Sequence, residues 1–193
     1  MKKLTLAFIT LLTTTTLSAQ DKPAQFGAKG GMNLATIRIR NSPSRRNIVA
    51  YHAGAMAQIN VSDDFAVQAE LVYSKQGTRA KTFTTQTPYD EKLSYINVPV
   101  LAQFKSGSGF RLYGGPQFGF LLNAKTTQPG VDLDKTYYYK KFDFAFAVGC
   151  SHQTNSGFGA DARVNVSLLN TADVEGANLR NLVWQFGVFY VIK

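Results

Sequence analysis

Few residues of this chain have the types and the spacing that catalysis or metal binding requires. The two histidines, His52 and His152, are far apart in the sequence, and neither has a cysteine or a pair of carboxylates nearby at ligand spacing. Zinc and related metals need several such ligands at one point, so the sequence predicts no metal site and no cofactor. The single cysteine, Cys150, alternates with Val148 and Phe146 and is interpreted as an inert thiol on an apolar face.

Nucleophilic catalysis is the remaining enzymatic possibility. Ser74 or Ser167 would serve as the nucleophile and His52 as the base, but no G-x-S-x-G motif accompanies either serine. A catalytic triad is recognised by its geometry rather than by sequence position. The prediction is therefore a chain without catalytic residues, with the His52 arrangement kept as an alternative.

The N-terminus has the three parts of an export signal. Positive charges in Met1-Lys2-Lys3 precede a short apolar run, a threonine tract and the small residues before Gln20. The apolar run is too short to cross a bilayer, which takes about 20 residues. We expect residues 1–19 to be a cleaved signal peptide and residues 20–193 to be one domain. Loss of Lys2 and Lys3 would lower the formal charge from +9 to +7.

Period-two patterns of aromatic and β-branched residues predict eight β-strands in the rest of the chain. Most are longer than the ~5–6 residues of ordinary sheets and suit a tilted crossing of a membrane, which needs ~9–11 residues. The predicted strands are 25–38, 49–60, 65–79, 91–105, 110–123, 138–153, 158–170 and 180–192. Pro99 and Pro116 fall inside two of them, and we expect a bulge there because proline lacks a ladder donor.

The connections between these strands alternate in length. Short turns rich in Gly, Ser, Asn and Asp occupy 61–64, 106–109 and 154–157. Longer polar segments occupy 39–48, 80–90, 124–137 and 171–179. Short turns on one side and long loops on the other are typical of outer-membrane barrels. The sequence thus predicts an all-β, eight-stranded, antiparallel up-and-down transmembrane barrel.

The two faces of each strand differ in polarity. In the last strand the apolar residues Leu182, Trp184, Phe186, Val188, Tyr190 and Ile192 share one face. Such rows would face lipid and the polar rows would face the lumen. A soluble periplasmic barrel that binds a ligand, the second alternative, should show the reverse arrangement. Eight strands leave an interior just wide enough for side chains, so we expect a filled lumen rather than a channel.

Charged residues occur in two places on this strand map. Those on the polar rows are predicted to pair inside the lumen, since a buried charge is costly unless paired. These ion-pair candidates are Lys29, Glu70, Arg111, Asp143, Asp161 and Arg163. The first long loop carries the candidate contacts for lipid headgroups or protein partners, namely Arg38, Arg40, Arg45 and Arg46.

Phosphates are the nearest anions to these arginines at an outer-membrane surface, and arginine pairs well with phosphate. Lipopolysaccharide phosphates are therefore the predicted lipid partner, with plain solvated loops as the open alternative. Nucleic acid is not expected, since no recognition fold or stacking motif accompanies the basic residues.

Several short motifs occur in order at strand-sized spacing. They are the Ser-Ala-Gln end of the signal, Phe26-Gly27-Ala28-Lys29-Gly30-Gly31-Met32-Asn33, Glu70-Leu71-Val72-Tyr73-Ser74, Tyr95-Ile96-Asn97-Val98-Pro99-Val100-Leu101 and Tyr113-Gly114-Gly115-Pro116. In this order the chain resembles the PorT-like outer-membrane β-barrel family of Bacteroidetes-type bacteria. The resemblance implies an eight-stranded barrel with both termini in the periplasm and no assigned enzymatic activity.

The resulting hypothesis is a non-enzymatic barrel of the bacterial outer membrane with a structural, adhesive or secretion-accessory role. The resemblance implies help in protein export as the specific form of the last role, with secretion-system or envelope proteins as partners. A lipid A deacylase or acyltransferase that acts near His52 and the soluble periplasmic barrel remain the alternatives.

Overall fold

The computed structural model describes residues 23–39, 46–81, 88–128, 131–173 and 179–192. The predicted signal peptide at 1–19 lies outside these residues, as do Arg40 and Arg45. Within them, no helix has the length and apolar character needed to cross a membrane.

In the part of the chain that the structure describes, nine antiparallel strands form one sheet that closes on itself. They are β1 (Gln25–Ile39), β2 (Ile48–Asn60), β3 (Phe65–Lys81), β4 (Pro88–Lys105), β5 (Phe110–Gln128), β6 (Val131–Asp134), β7 (Phe142–Gln153), β8 (Phe158–Ser167) and β9 (Leu179–Ile192). Sequential neighbours pair, β5 pairs with β7, and β1 pairs with β9. The short β6 pairs with β5 outside the ring, so eight strands form the barrel. The predicted all-β fold and up-and-down order are confirmed.

The start of β1 and the end of β9 lie at the same end of the barrel, because Phe26 pairs with Ile192. This end also carries the turns at 61–64, 106–109 and 154–157, and we call it the short-turn end. Two of these turns have the same hydrogen bonds and place Gly109 and Gly157 at φ of 85° and 94°. Glycine adopts that conformation without a steric penalty, which explains its place at the end of each turn.

The opposite end, the long-loop end, has more regular structure than the sequence predicted. Strands β3 and β4 extend beyond the predicted limits to Lys81 and Pro88, and β5 continues to Gln128. The predicted strand at 138–153 begins later, at Phe142, because a 3-10 turn (Thr136–Tyr138) precedes it. Part of the predicted loop 124–137 therefore has regular structure, namely the short β6 and this 3-10 turn.

The bulge expected at Pro99 and Pro116 is absent, and that prediction is wrong. Pro99 lies opposite Gln117, and the register is unchanged where pairing resumes three residues later. Each proline removes one ladder donor without requiring an inserted residue. The irregularity instead lies between Ser94 and Tyr95, opposite Leu122, which has no partner in the β4–β5 ladder.

The outer wall of the barrel is an apolar band. In β9 the outward residues from Leu182 to Ile192 cover about 34 Å of strand at ~3.4 Å per residue. A strand tilt near 45° reduces this length to about 25 Å of height, the height of a transmembrane barrel's apolar band. The polar residues face inward, so the predicted facing is confirmed and the arrangement of a soluble barrel is not found.

Candidate functional site: the filled lumen and the cation ring

Four buried charges meet in the middle of the lumen, and we call them the lumen ion cluster: Lys29, Glu70, Asp161 and Arg163. Lys29 Nζ lies 3.3 Å from Glu70 Oε1 and 3.2 Å from Asp161 Oδ2. Arg163 Nη1 lies 2.9 Å from Glu70 Oε2. The residues come from β1, β3 and β8, where period-two alternation points each of them inward. Two cations and two carboxylates therefore neutralise one another across the barrel.

Neutral side chains add hydrogen bonds to this cluster, although Asp161 Oδ1 is buried without a hydrogen-bond partner. The hydroxyl of Tyr113 donates to Asp161 Oδ2 at 3.1 Å. Arg163 Nε donates to Gln185 Oε1 at 2.6 Å, and Gln68 Nε2 donates to Glu70 Oε1 at 2.6 Å. Buried charges are stable in a protein only when such partners surround them. Because these contacts join side chains of β1, β3, β5, β8 and β9, the cluster fixes the register of five strands.

Arg111 does not join the cluster, although its sequence position suggested an ion pair. Its Nη1 donates to Gln58 Oε1 at 2.6 Å and to Gln103 Oε1 at 3.2 Å. Gln103 in turn donates to Gln68, which donates to Glu70. Two amides thus stand between Arg111 and the nearest carboxylate of the cluster, with their oxygens toward the cation and their N–H groups toward the anion. The amide dipoles replace the direct contact that we expected.

Asp143 also lacks the cationic partner that the sequence suggested, among the residues that the structure describes. It accepts hydrogen bonds from the Ser167 hydroxyl and from Asn181 Nδ2, the latter at 3.2 Å. The cations of the cluster are engaged with Glu70 and Asp161. Neutral donors therefore serve this carboxylate, and it is a polar crosslink rather than half of a salt bridge.

The geometry does not assemble the nucleophile and base that the enzymatic alternative required. His52 is 1% exposed, and its Nδ1 lies 2.8 Å from Asn33 Oδ1. Asn33 Nδ2 donates to Ser74 Oγ at 3.0 Å, so the asparagine separates the imidazole from that hydroxyl. The other candidate, Ser167, donates to Asp143. All of these groups lie inside the lumen, away from the lipid that such an enzyme would modify.

An apolar cluster fills the lumen near the long-loop end, and we call it the lumen plug. Its buried members are Ile37, Leu93, Tyr95, Leu121, Ala124 and Tyr139. Sequence reasoning missed the plug because it assigned inward positions to polar residues throughout. The available signal was that Leu93 and Tyr95 share the parity of the inward Asn97. A cavity of about 10 Å³ beside Lys29 and Met56 has room for roughly one water.

Among the described residues, five basic side chains lie on the outer face of the barrel just past the apolar band at the long-loop end, and we call them the cation ring. They are Arg38, Lys75, Lys92, Lys125 and Arg180. Arg38 lies directly opposite Arg180, and Lys92 lies directly opposite Lys125. Of the four predicted contact arginines, the structure describes Arg38 and Arg46, and both are exposed.

The carboxylates of Asp90 and Asp134 have hydrogen-bond partners within the long-loop end. Arg79 Nε and Nη2 lie 2.6 and 3.0 Å from the two oxygens of Asp90, a bidentate pair. The hydrogen bond from Arg79 lowers the pKa of the Asp90 carboxyl below its usual value. Hydrogen bonds from the Thr136 hydroxyl and backbone lower the pKa of Asp134 in the same way. These contacts lie several residues past the band.

The closed eight-stranded ring, the outward apolar band and the filled lumen define a small β-barrel of the outer-membrane type. The chain belongs to the family described as outer membrane protein beta-barrel domain, whose family model matches residues 18–173. It is therefore a small outer-membrane β-barrel protein. A comparison with curated proteins gave no match.

Solved structures of small outer-membrane proteins share the fold at low sequence identity. Ail, the attachment invasion locus protein of Yersinia pestis, has 17% identity and a TM-score of 0.55, with 88% of this chain and 99% of Ail covered. Neisserial surface protein A has 15% identity and a TM-score of 0.61, with 87% and 98% covered. OprG from Pseudomonas aeruginosa has 13% identity and a TM-score of 0.51, with 90% and 98% covered. A further structure shows Ail in complex with the heparin analogue sucrose octasulfate.

Proposed function

We propose that this protein is a closed, non-enzymatic barrel that acts as a contact surface at the cell exterior through its long-loop end. The observation that carries the proposal is the division of the molecule into a filled lumen and a basic end. The lumen ion cluster and the lumen plug occupy the space that a solute would need. The exposed residues Arg46, Lys81 and Lys140 instead present positive charge at the long-loop end.

The proposed orientation places both termini and the short turns in the periplasm and the long-loop end outside. Short periplasmic turns and longer extracellular loops are the usual arrangement of such barrels. A surface with an excess of one charge attracts partners of the opposite charge and speeds their encounter. The role is thus structural and adhesive, with anionic polymers as ligands. The PorT-like kinship and a secretion-accessory role with an envelope partner remain predictions.

Cysteine labelling in intact cells tests the orientation. In a Cys150→Ser background, which removes the one native cysteine, Lys140→Cys marks the long-loop end and Ser156→Cys marks a short turn. A membrane-impermeant maleimide should label Lys140→Cys in intact cells and Ser156→Cys only after lysis. Labelling of Ser156→Cys alone in intact cells would overturn the proposed orientation.

Retention on immobilised heparin, a sulfated polymer, tests the adhesive role. The purified barrel in neutral detergent should bind and elute earlier as salt increases, because surface charges are screened. The Lys81→Gln/Lys140→Gln variant should elute at lower salt than the parent. A parent protein that flows through at low salt would refute adhesion through charge, whatever the orientation.

A further inference from the structure

We propose that Arg38 and Arg180 form a binding site for a lipid phosphate on the outer wall of the barrel. The assignment of this phosphate to the outer leaflet rests on the proposed function, because it takes the long-loop end as the external end. The presence of the site itself does not depend on which end of the barrel is external. The ligand class is the phosphate monoester of a lipid headgroup, as lipopolysaccharide carries.

The register fixes the height of the two arginines. Leu34 lies opposite Trp184 within the band, and Arg38 lies opposite Arg180 four residues further along both strands. Four residues correspond to about 14 Å of strand, or about 10 Å of height at a tilt near 45°. Arg180 is the next outward position after Leu182, the last apolar residue of the band on β9. Both guanidinium groups therefore lie where the headgroups of a bilayer begin.

The charge balance at this position is unfavourable without a ligand. Like charges directly opposite each other on neighbouring antiparallel strands destabilise the pair. Among the described residues, no carboxylate forms an ion pair with Arg38 or Arg180. In the sequence, residues 40–45 include two arginines and no acidic residue. An anion between the two guanidinium groups would turn this repulsion into attraction.

The other like-charged pairs at this end have carboxylates beside them. Lys125 lies opposite Asp134 in the β5–β6 ladder, and Asp134 thus stands next to the Lys92–Lys125 pair. Arg46 forms a backbone bridge with Arg79, and Arg79 is held by Asp90. Internal anions thus serve both of these pairs, which singles out Arg38 and Arg180.

Arginine is suited to this ligand for a geometric reason. Each guanidinium has a planar fork of N–H donors that matches two oxygens of a phosphate. Side chains directly opposite each other start with Cβ atoms about 5 Å apart, so both forks can reach one phosphate group. A monoester has enough charge and oxygens to serve both of them. A choline phosphodiester is already neutralised by its own ammonium.

The test uses the folded barrel in nanodiscs of phosphatidylcholine alone or with bisphosphorylated lipid A. The only tryptophan of the chain, Trp184, lies four residues from Arg180 and reports lipid A binding by its fluorescence. The Arg38→Gln/Arg180→Gln variant should bind lipid A roughly tenfold more weakly, since hydrogen bonds to charged groups are lost. The Arg38→Lys/Arg180→Lys variant keeps the charge but not the guanidinium forks. Its affinity for lipid A should lie between that of the parent and that of the glutamine variant.

Three controls separate the possible outcomes. Lys135→Gln/Lys141→Gln removes the same charge elsewhere at this end and should bind lipid A as the parent does. Inorganic phosphate added to pure phosphatidylcholine discs should give less than a tenth of the lipid A response, which assigns the site to the headgroup. Glu175→Gln tests whether Glu175, which precedes β9 in the sequence, neutralises the two arginines in the absence of lipid A. We expect this variant to have the thermal midpoint of the parent in pure phosphatidylcholine.

The thermal midpoint gives a second, independent readout. In pure phosphatidylcholine the Arg38→Gln/Arg180→Gln barrel should unfold at the same or a higher temperature than the parent, because the repulsion is removed. With lipid A it should unfold at a lower temperature than the parent. Equal lipid A affinity in parent and variant, or a midpoint lowered equally in both discs, would overturn the site. Neither result depends on the orientation tested by cysteine labelling.

Discussion

The charges in the lumen and the charges of the cation ring are arranged in opposite ways. In the lumen ion cluster each cation lies within 3.3 Å of a carboxylate, and the amides around it are oriented to match. In the cation ring, Arg38 faces Arg180 and Lys92 faces Lys125. The same residue types thus occur in a neutral set inside the barrel and in like-charged pairs on its outer rim.

This difference indicates which charges serve the fold and which serve a partner. A charge buried among side chains has no external ion available, so the chain must supply its partner. A charge on the rim can be neutralised by the surroundings, and the chain need not supply a partner there. We infer that the lumen charges stabilise the barrel, whereas the rim charges act on what surrounds it.

The largest expected effect comes from breaking the lumen ion cluster. Glu70→Gln removes the carboxylate that contacts both Lys29 and Arg163 and leaves two buried cations beside one anion. Loss of one partner of a buried pair destabilises by about 3–5 kcal/mol. Urea unfolding in detergent micelles measures this change. The matched control Asp132→Asn removes an exposed carboxylate and should stay within about 0.5 kcal/mol; a Glu70→Gln effect of that size would contradict the comparison.

The lumen plug should tolerate truncation less well than the outer wall on the same strand. Ile37→Ala opens a cavity in a cluster of buried side chains, and such truncations destabilise by about 2–5 kcal/mol. Met32→Ala, on the outer face of β1, leaves no enclosed cavity and should cost clearly less. The same unfolding experiment compares the two variants. Equal losses would mean that the plug is loosely packed.

A charge reversal in the ring should have a smaller effect of the opposite sign. Arg180→Glu places an anion opposite Arg38 and should stabilise the barrel in neutral detergent by roughly 0.2–1 kcal/mol. Arg180→Gln, which only removes the repulsion, should give part of this gain. Destabilisation by Arg180→Glu would show that Arg180 already has a favourable partner.

The smallest effect concerns the β3–β4 extension and depends on pH. Because the Arg79 hydrogen bond lowers the pKa of Asp90, the pair stabilises the extension at pH above the usual carboxyl value of 3.8. This contribution is lost as the pH falls through the lowered pKa of the folded state. Hydrogen-exchange protection of the extension should therefore decrease below that pH in the parent. In Asp90→Asn it should be low at every pH, and persistent protection there would refute the assignment.

Period-two alternation and turn residues were sufficient to predict the barrel, its eight strands and the outward apolar rows. The same alternation placed Lys29, Glu70, Asp161 and Arg163 on inward positions. It did not specify partners, because partners depend on the relative height of residues on strands that are not neighbours. Arg111 and Asp143 show this limit, since amides and a hydroxyl occupy the places that we assigned to charges.

The ends of the strands were harder to predict than their centres. The extensions of β3, β4 and β5 past the band consist of polar residues, which resemble a loop in sequence. Their pairing is stabilised by contacts such as Arg79–Asp90, and such contacts become visible only in three dimensions. The like-charged pairs of the cation ring likewise follow from register, which composition alone does not supply.

The most direct test of the comparison is ion conductance through the wild-type barrel in a planar lipid bilayer. A lumen whose charges neutralise one another and whose long-loop end is plugged should give no unitary current steps. Incorporation is checked on the same preparation by the heat-modifiable gel migration of the folded barrel. The predicted result is that no conductance steps occur although folded protein is present. Reproducible conductance steps from folded wild-type protein would contradict the filled lumen.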